Sequence, residues 1–265
     1  MIHIYNDAVP GYDPDINQEI PGIEPYLIES DKQIPAIILC PGGAYSHKAE
    51  HEGEPIARYL NSIGINVFIV NYRVSPYKYP YPFMDLQRAI RFVRYNCEKF
   101  NVDRDKIGVM GFSAGGHLAA ASCVYFDFGR SESEAEDEID KVSCRPDINI
   151  LCYPVITLVG EYIHKRSGPN LLGEDASNEL YEYMSVQKHV KENTPSAFIW
   201  ATATDNSVPF QNSLMYAEAL KEKGVDFELH IFPRGRHGLG LLDEEPYVKR
   251  WAELCKEFLI EQNFI

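Results

Sequence analysis

The sequence has no long apolar run and no signal-like N-terminus. No stretch approaches the roughly 20 consecutive apolar residues that a membrane-spanning helix needs. The N-terminal stretch MIHIYNDAVPGYDPDI lacks the basic cluster and apolar block of a secretory signal, and its acids and prolines disfavour an amphipathic transit helix. We therefore expect a cytoplasmic protein that does not act at a membrane.

Metal-type cysteine spacing and excess positive charge are also missing. The six cysteines show no paired spacing and fall mostly in apolar segments, which predicts reduced, buried thiols and no metal site. The 25 Lys and Arg residues against 39 Asp and Glu residues give a net charge of −14. Nucleic acids and anionic membranes are disfavoured as partners because this charge repels them, whereas a neutral or cationic small molecule is compatible.

What the sequence does contain is a series of short apolar runs bounded by turn residues. Such runs predict strands that are covered on both faces, as in a parallel sheet. Helical periods separate several of them, most clearly over 86–100, 210–220 and 248–258. This alternation predicts a doubly wound α/β sheet in one domain spanning residues 1–265. The apolar runs cover residues 35–40, 65–72, 106–112, 148–155, 196–202 and 227–232.

Two segments depart from the alternation. Residues 156–190 scatter Gly, Pro and Tyr where a simple helix would suffice, which indicates an insert. Inserts at the carboxyl ends of strands commonly form lids and substrate pockets. The run SESEAEDEID, residues 131–140, carries six acids and is expected to be a solvated loop rather than a binding tail.

The stretch GFSAGGHLAA, residues 111–120, contains a G-x-S-x-G pattern centred on Ser113. The pattern alone is weak, but KIGVMGF before it resembles a buried strand and HLAAASCVYF after it a helix, which is the context of a nucleophile elbow. The alternative is a glycine-rich phosphate-binding turn. That alternative is disfavoured because neither a G-x-x-x-x-G-K-[ST] motif nor an acid at the ribose position accompanies the pattern.

A nucleophilic serine needs a histidine base and a carboxylate that orients it. His237, in the glycine-bracketed loop FPRGRHGLG after the last apolar run, is the candidate base. Asp205 follows the preceding run in SAFIWATATDNSVPF and is the candidate acid. The alternatives are an exposed loop histidine and a helix-capping aspartate.

The segment LCPGGAYSH supplies a glycine-rich turn after the first strong strand. We expect the backbone N–H groups of Gly43, Ala44 and Ala114 to form an oxyanion hole, and the less favoured alternative is a plain tight turn. Tyr45 and His47 follow closely enough to be candidate substrate contacts. No metal or organic cofactor is implied.

These motifs together resemble the α/β-hydrolase superfamily, and within it small esterases related to acetylxylan esterases and hormone-sensitive-lipase-like carboxylesterases. The resemblance runs from about residue 34 to 258 and rests on PGGAYSH, VNYRVSPYKYPYP, GFSAGGHLAA, TATDNSVP and FPRGRHGLG. It implies a mostly parallel central sheet with helices on both faces and a short lid-like insert near 156–190.

The same resemblance implies that Ser113 is the nucleophile, Asp205 the acid and His237 the base of a serine esterase. The implied substrates are short-chain, chiefly acetyl, esters of small molecules, with acetylated xylo-oligosaccharides among them. Two alternatives stay open: an amide or peptide hydrolase with the same triad, such as a formamidase or a prolyl-peptidase-like enzyme, and a catalytically silent hydrolase fold used for binding.

Overall fold

A computed structural model of the chain describes residues 1–6, 8–126, 137–242 and 244–265, and an eight-stranded sheet forms its centre. The strands are β1 (Ile2–His3), β2 (Gly22–Tyr26), β3 (Ile34–Cys40), β4 (Asn66–Asn71), β5 (Val102–Phe112), β6 (Asn149–Cys152), β7 (Ala197–Thr202) and β8 (Phe227–Phe232).

The strands are ordered β1-β2-β4-β3-β5-β6-β7-β8 across the sheet. Six adjacent strands, β4, β3, β5, β6, β7 and β8, are parallel to one another. Strand β2 pairs with β4 in the antiparallel direction, and β1 pairs with β2 in the same way. Each predicted apolar run contains one parallel strand, so the predicted mostly parallel sheet is confirmed. Strand β7 is buried along its whole length, whereas β8, at the edge, is only partly covered.

Helices cover both faces of the sheet, as predicted. Helices α2, α3 and α6 pack one apolar cluster against the first face, and α1 and α7 pack a second cluster against the other. Within the described ranges, no helix combines the length and apolar character that crossing a membrane requires. The helices are α1 (Glu54–Ser62), α2 (Tyr81–Tyr95), α3 (Ala114–Val124), α4 (Ser167–Leu172), α5 (Asn178–Tyr183), α6 (Gln211–Glu222) and α7 (Trp251–Glu261).

The strand order determines which loops meet. Strand β5 lies between β3 and β6, so the turn after β5 is flanked by the turns after those two strands. The carboxyl ends of parallel strands lie at one edge of a sheet, and there the loops after β7 and β8 approach the same turn. The loops that carry the candidate site residues are therefore brought to one edge.

A buried ion pair fixes the N-terminal segment to this body. The Arg73 guanidinium and the Asp85 carboxylate, 2.7 Å apart, both have fully buried side chains. Arg73 also donates to the Pro10 carbonyl oxygen at 2.6 Å, and Tyr5 donates its hydroxyl hydrogen to Asp85 at 3.1 Å. The pair therefore connects α2 and the end of β4 to the chain that precedes β2.

Two further expectations concern the cysteines and the acidic run. All six cysteines are buried thiols, which confirms the predicted reduced state. Residues 127–136 lie outside the described residues, so the structure reaches only the end of the acidic run. That end differs from a solvated loop, since Asp137 and Asp140 bind the Arg88 guanidinium at 2.6 and 3.0 Å. Arg88 is almost fully buried, and these carboxylates neutralise its charge.

Candidate active site

Ser113 occupies a sharp turn between the last residue of β5 and the first residue of α3. Its backbone has φ 53° and ψ −117°, a strained conformation for a residue with a side chain. The flanking glycines are required by close backbone contacts: a Cβ on Gly111 would lie 2.1 Å from the Gly115 oxygen, and one on Gly115 would lie 2.1 Å from the Cys40 oxygen. The turn is therefore pressed against the end of β3, with the serine at its apex.

The structure brings Ser113, His237 and Asp205 into one hydrogen-bonded chain. The Ser113 Oγ lies 2.7 Å from His237 Nε2, and His237 Nδ1 lies 2.6 Å from Asp205 Oδ2. A carboxylate only accepts, so Nδ1–H donates to it and the neutral Nε2 accepts the serine hydroxyl hydrogen. The Asp205 side chain is 1 % exposed and that of His237 is 21 % exposed. The imidazole is thus held in the tautomer that can take a proton from the serine.

Asp205 also forms the kind of backbone contacts expected of a helix-capping aspartate, which was the alternative interpretation of its position. Its second oxygen, Oδ1, accepts the backbone N–H groups of Ser207 and Val208 at 2.8 and 2.9 Å, in the turn that precedes α6. One oxygen of the carboxylate therefore builds the turn and the other orients the histidine. The two interpretations of the sequence do not exclude each other.

Hydrogen bonds to two carbonyl oxygens orient the backbone amides of the glycine turn, residues 41–45. The Gly42 carbonyl accepts the Ala49 N–H at 3.0 Å, and the Gly43 carbonyl accepts the Ser46 N–H at 2.9 Å. In a trans peptide the N–H points opposite to the carbonyl, so the N–H groups of Gly43 and Ala44 are directed away from these contacts. Within the described residues neither amide has an acceptor.

The glycine turn lies directly against the serine. A Cβ added to Gly42 would be 3.0 Å from the Ser113 Cβ and 2.7 Å from the Phe112 oxygen. Ala114 is the first residue of α3, and in the described part of the chain its N–H also lacks an acceptor. Free donors and the positive end of a helix dipole therefore lie beside the serine, where they favour negative charge.

Tyr45 lies elsewhere than the sequence suggested. Ala44 and Tyr45 both have φ 56°, and this left-handed backbone conformation at two successive residues directs the tyrosine ring into the core. There the ring is 1 % exposed. Its hydroxyl lies 2.7 Å from His117 Nδ1, and His117 Nε2 lies 2.8 Å from the Met184 carbonyl oxygen. We therefore remove Tyr45 from the candidate substrate contacts. His47 is exposed at the rim of the turn and stays a candidate.

The buried imidazole of His117 should make the stability of the protein depend on pH. Burial lowers its pKa to about 4 from 6.5, so the unfolded chain binds more protons between these values. The neutral imidazole therefore contributes to the free energy of unfolding fully above pH 6.5. This contribution, roughly 3 kcal/mol in total, is lost as the pH falls through the folded-state pKa of about 4. His117→Gln can retain both hydrogen bonds without titrating. Urea unfolding at pH 7, 5.5 and 4 should therefore show a shallower acid loss in the variant, and parallel curves would contradict the assignment.

The predicted insert contacts the site but is packed as part of the fold. The His164 ring stacks on His237, with centroids 6.4 Å apart and planes at 19°. Burial, and next the neighbouring His237, lower the pKa of His164, which favours its neutral form. Asn170 Nδ2 donates to the Ala44 carbonyl at 2.8 Å, which ties the insert to the glycine turn. The interior of the insert lies in the main apolar cluster through Leu158, Leu171 and Val186.

Sequence reasoning missed two further groups beside the site. Tyr153, directly after β6, has φ 38° and packs its ring edge-on against His237 with centroids 5.0 Å apart. Glu52 is buried beneath the glycine turn. Neither carried a signal: Tyr153 ends an apolar run, and Glu52 lies in the polar run AEHEGEP, which is typical of an exposed loop.

Comparison with known families supports a common origin with one of them over most of the chain. The family model described as BD-FAE matches residues 26–220. The matched range includes Ser113 and Asp205 and ends before β8 and the loop that carries His237.

Individual relatives match over most of the chain. The crystal structure of an acetyl ester-xyloside bifunctional hydrolase from Caldicellulosiruptor lactoaceticus superposes with a TM-score of 0.96 at 49% identity, covering 100% of this chain and 97% of the other. Endo-1,4-beta-xylanase B of Butyrivibrio fibrisolvens is 40% identical over 92% of this chain and 38% of its own length. An acetylxylan esterase of Xylanibacter ruminicola is 34% identical over 77% of this chain and 41% of its own length. This chain thus spans about two fifths of these two curated relatives.

Proposed function

The chain belongs to the BD-FAE family and has the α/β-hydrolase fold, and from this premise we propose that it is a serine esterase that removes short acyl groups, chiefly acetyl groups, from xylo-oligosaccharides. The observation that carries the proposal is the hydrogen-bonded chain from Ser113 through His237 to Asp205. A buried carboxylate, a correctly oriented imidazole and a serine within hydrogen-bond distance of that imidazole together serve acyl transfer.

In the first half of the proposed reaction, Ser113 Oγ attacks the ester carbonyl carbon and His237 Nε2 takes the serine proton. The Asp205 carboxylate stabilises the resulting imidazolium. The backbone N–H groups of Gly43, Ala44 and Ala114 donate to the oxyanion of the tetrahedral intermediate. This role is supported by the observation that none of the three has another acceptor among the described residues. The intermediate collapses, His237 returns its proton to the leaving alcohol oxygen, and an acyl-serine remains.

In the second half, water attacks the acyl-serine. His237 removes a proton from the water, the same three amides hold the new oxyanion, and the serine oxygen leaves with the proton from the imidazolium. The products are the carboxylic acid and the free enzyme. Each step uses groups of this chain alone, without a metal or organic cofactor.

The substrate part of the proposal is supported by the relatives. One is named acetylxylan esterase, and another is titled an acetyl ester-xyloside bifunctional hydrolase. The name endo-1,4-beta-xylanase belongs to a protein of which this chain matches 38%, so it does not describe the matched part by itself. Acetylated sugars are neutral, and the net charge of −14 does not repel them. His47, at the rim of the glycine turn, is the proposed contact to the alcohol part.

The proposal includes one catalytic domain and a cytoplasmic site of action. One sheet carries both apolar clusters, one on each face, which supports a single folding unit over the described residues. Six buried thiols fit a reducing compartment.

A substrate panel tests the function. We expect release of acetate from acetylated xylo-oligosaccharides and from 4-nitrophenyl acetate, with kcat/KM at least roughly 100-fold above that for the matched N-acetyl amide and for dipeptide amides. The reverse order would favour the amide or peptide hydrolase. Fluorophosphonate labelling at Ser113 without turnover of any ester would contradict the ester specificity, and absence of labelling would indicate a silent fold.

A further inference from the structure

Glu52 is a buried carboxylate that accepts two hydrogen bonds beneath the glycine turn. It ends the short 3-10 turn Glu50–Glu52 and is 2 % exposed. Its Oε2 accepts the Gly42 N–H at 2.7 Å, and its Oε1 accepts the Tyr153 hydroxyl hydrogen at 2.7 Å. A Cβ on Gly42 would lie 2.7 Å from the same Oε2, so the carboxylate fits only because position 42 is a glycine.

Tyr153 carries the connection onward to the histidine loop, residues 233–240. Its hydroxyl oxygen accepts the Gly240 N–H at 3.0 Å, and the Gly240 carbonyl accepts the Trp251 indole N–H at 2.8 Å. The residue before the carboxylate contacts the same loop, because His51 Nε2 lies 2.9 Å from the Gly238 carbonyl oxygen. The 3-10 turn therefore contacts the loop directly at Gly238 and is connected to Gly240 through Tyr153.

The direction of these hydrogen bonds determines what position 52 must supply. Gly42 N–H can only donate, and a carboxylate can only accept, so the Tyr153 hydroxyl hydrogen points at Glu52 while its oxygen accepts the Gly240 N–H. The group at position 52 must therefore accept at both ends. A carboxylate does so, whereas a glutamine amide can accept at one end only.

The surroundings of Glu52 give no reason to expect that this carboxylate stabilises the fold. In the described ranges no lysine or arginine forms an ion pair with it, and its nearest basic group is His51 Nε2 at 3.8 Å. Burying a carboxylate costs several kcal/mol even when it is well hydrogen-bonded. The contacts that offset this cost go to the two loops that carry the proposed oxyanion donors and the proposed base.

We propose that Glu52 is a positioning residue for the esterase reaction. Through Gly42 it fixes the glycine turn, and through Tyr153 it fixes the histidine loop, so that the free amides of Gly43 and Ala44 and the His237 imidazole face Ser113 together. The inference rests on the proposed function.

The test compares Glu52→Gln and Tyr153→Phe with the unmodified protein, using 4-nitrophenyl acetate and active-site titration. Glu52→Gln leaves either the Gly42 N–H or the Tyr153 hydroxyl hydrogen without an acceptor, because the amide supplies only one oxygen. Tyr153→Phe removes the link to Gly240 but keeps the ring. We expect kcat per titrated site to fall roughly 10- to 100-fold in each variant with KM within about threefold, because a misplacement of about 1 Å has effects of this size. The double variant should lose no more than the worse single variant.

A matched control separates positioning from stability. Asp85→Asn changes a carboxylate to an amide at an equally buried position near the start of α2, where Asp85 is paired with Arg73 rather than with either loop of the site. It should lower Tm while leaving kcat per titrated site within twofold. If Glu52→Gln behaves like this control, with a lower Tm and unchanged kcat, Glu52 is structural and the inference is overturned. If Glu52→Gln does not fold, Tyr153→Phe decides: unchanged kcat overturns the inference, and the expected loss supports it.

The rate of Ser113 labelling by a fluorophosphonate distinguishes failure of this inference from failure of the proposed function. Labelling needs the histidine and the oxyanion donors but no natural substrate. Slower labelling in both variants supports the role of Glu52 even if xylo-oligosaccharides are not substrates. Unchanged labelling in both variants contradicts that role even if they are.

Discussion

Replacing Ser113 with alanine is expected to reduce kcat for ester hydrolysis by roughly 10⁴- to 10⁶-fold. The hydroxyl is the only group removed, and its oxygen lies 2.7 Å from His237 Nε2. Alanine adopts the φ 53° turn with about the same strain as serine, so the fold and the contact between His237 and Asp205 should persist. The burst of nitrophenolate from 4-nitrophenyl acetate should disappear, as stopped-flow absorbance would show.

Ser122 provides the matched control on the same helix. It is fully buried, and its hydroxyl donates to the Ala119 carbonyl at 2.7 Å, away from the site. Ser122→Ala should keep kcat within about twofold, because it removes one local hydrogen bond worth about 1 kcal/mol of stability. More than 1 in 100 of the original burst amplitude or kcat remaining in Ser113→Ala would assign the nucleophile elsewhere.

The sheet was predictable because burial on both faces leaves a strong imprint. Strands such as Ala197–Thr202 contain nearly continuous apolar residues, and each ends at a turn signal. The antiparallel edge was not predictable. Strand Ile2–His3 has two residues, and Gly22–Tyr26 contains a glycine, a glutamate and a proline, so neither produces a periodic signal. Those strands form because β4 offers an unpaired edge, which is a tertiary property.

The meeting of the three candidate catalytic residues was predictable for a topological reason. Ser113, Asp205 and His237 each follow a different parallel strand, and such loops necessarily share one edge of the sheet. Side-chain directions within the loops were not predictable. Tyr45 follows the glycine turn in sequence, but two successive residues with φ 56° turn its ring inward onto His117.

Contacts between distant loops were also beyond the sequence. Glu52 lies in a polar run, and its burial depends on Tyr153, a residue 101 positions away. His164 falls in the irregular insert, yet its ring stacks on His237. Both placements arise from how loops pack over the sheet, for which one sequence contains no periodic or spacing signal.

Asp205→Asn should cost roughly 10⁴-fold in kcat although it changes the shape of the side chain very little. The reason lies in the two roles of the carboxylate. Its Oδ1 accepts the N–H groups of Ser207 and Val208, so the amide oxygen of asparagine must take that side. The amide NH₂ then faces His237 Nδ1, which has to accept, and the ring proton moves to Nε2. An Nε2–H directed at Ser113 cannot take the serine proton, so the base is present in the wrong tautomer.

This tautomer argument predicts a separation between folding and catalysis. The turn before α6 keeps both of its hydrogen bonds, so the free energy of unfolding of Asp205→Asn should fall by only about 1 kcal/mol. Asp226→Asn is the matched control, because it makes the same change at an exposed aspartate before β8, on the opposite edge of the sheet. It should leave both kcat and stability unchanged. If Asp205→Asn kept kcat within tenfold of the unmodified protein, His237 would not depend on Asp205 for its tautomer. The carboxylate would then serve the turn alone, as its contacts with Ser207 and Val208 already allow.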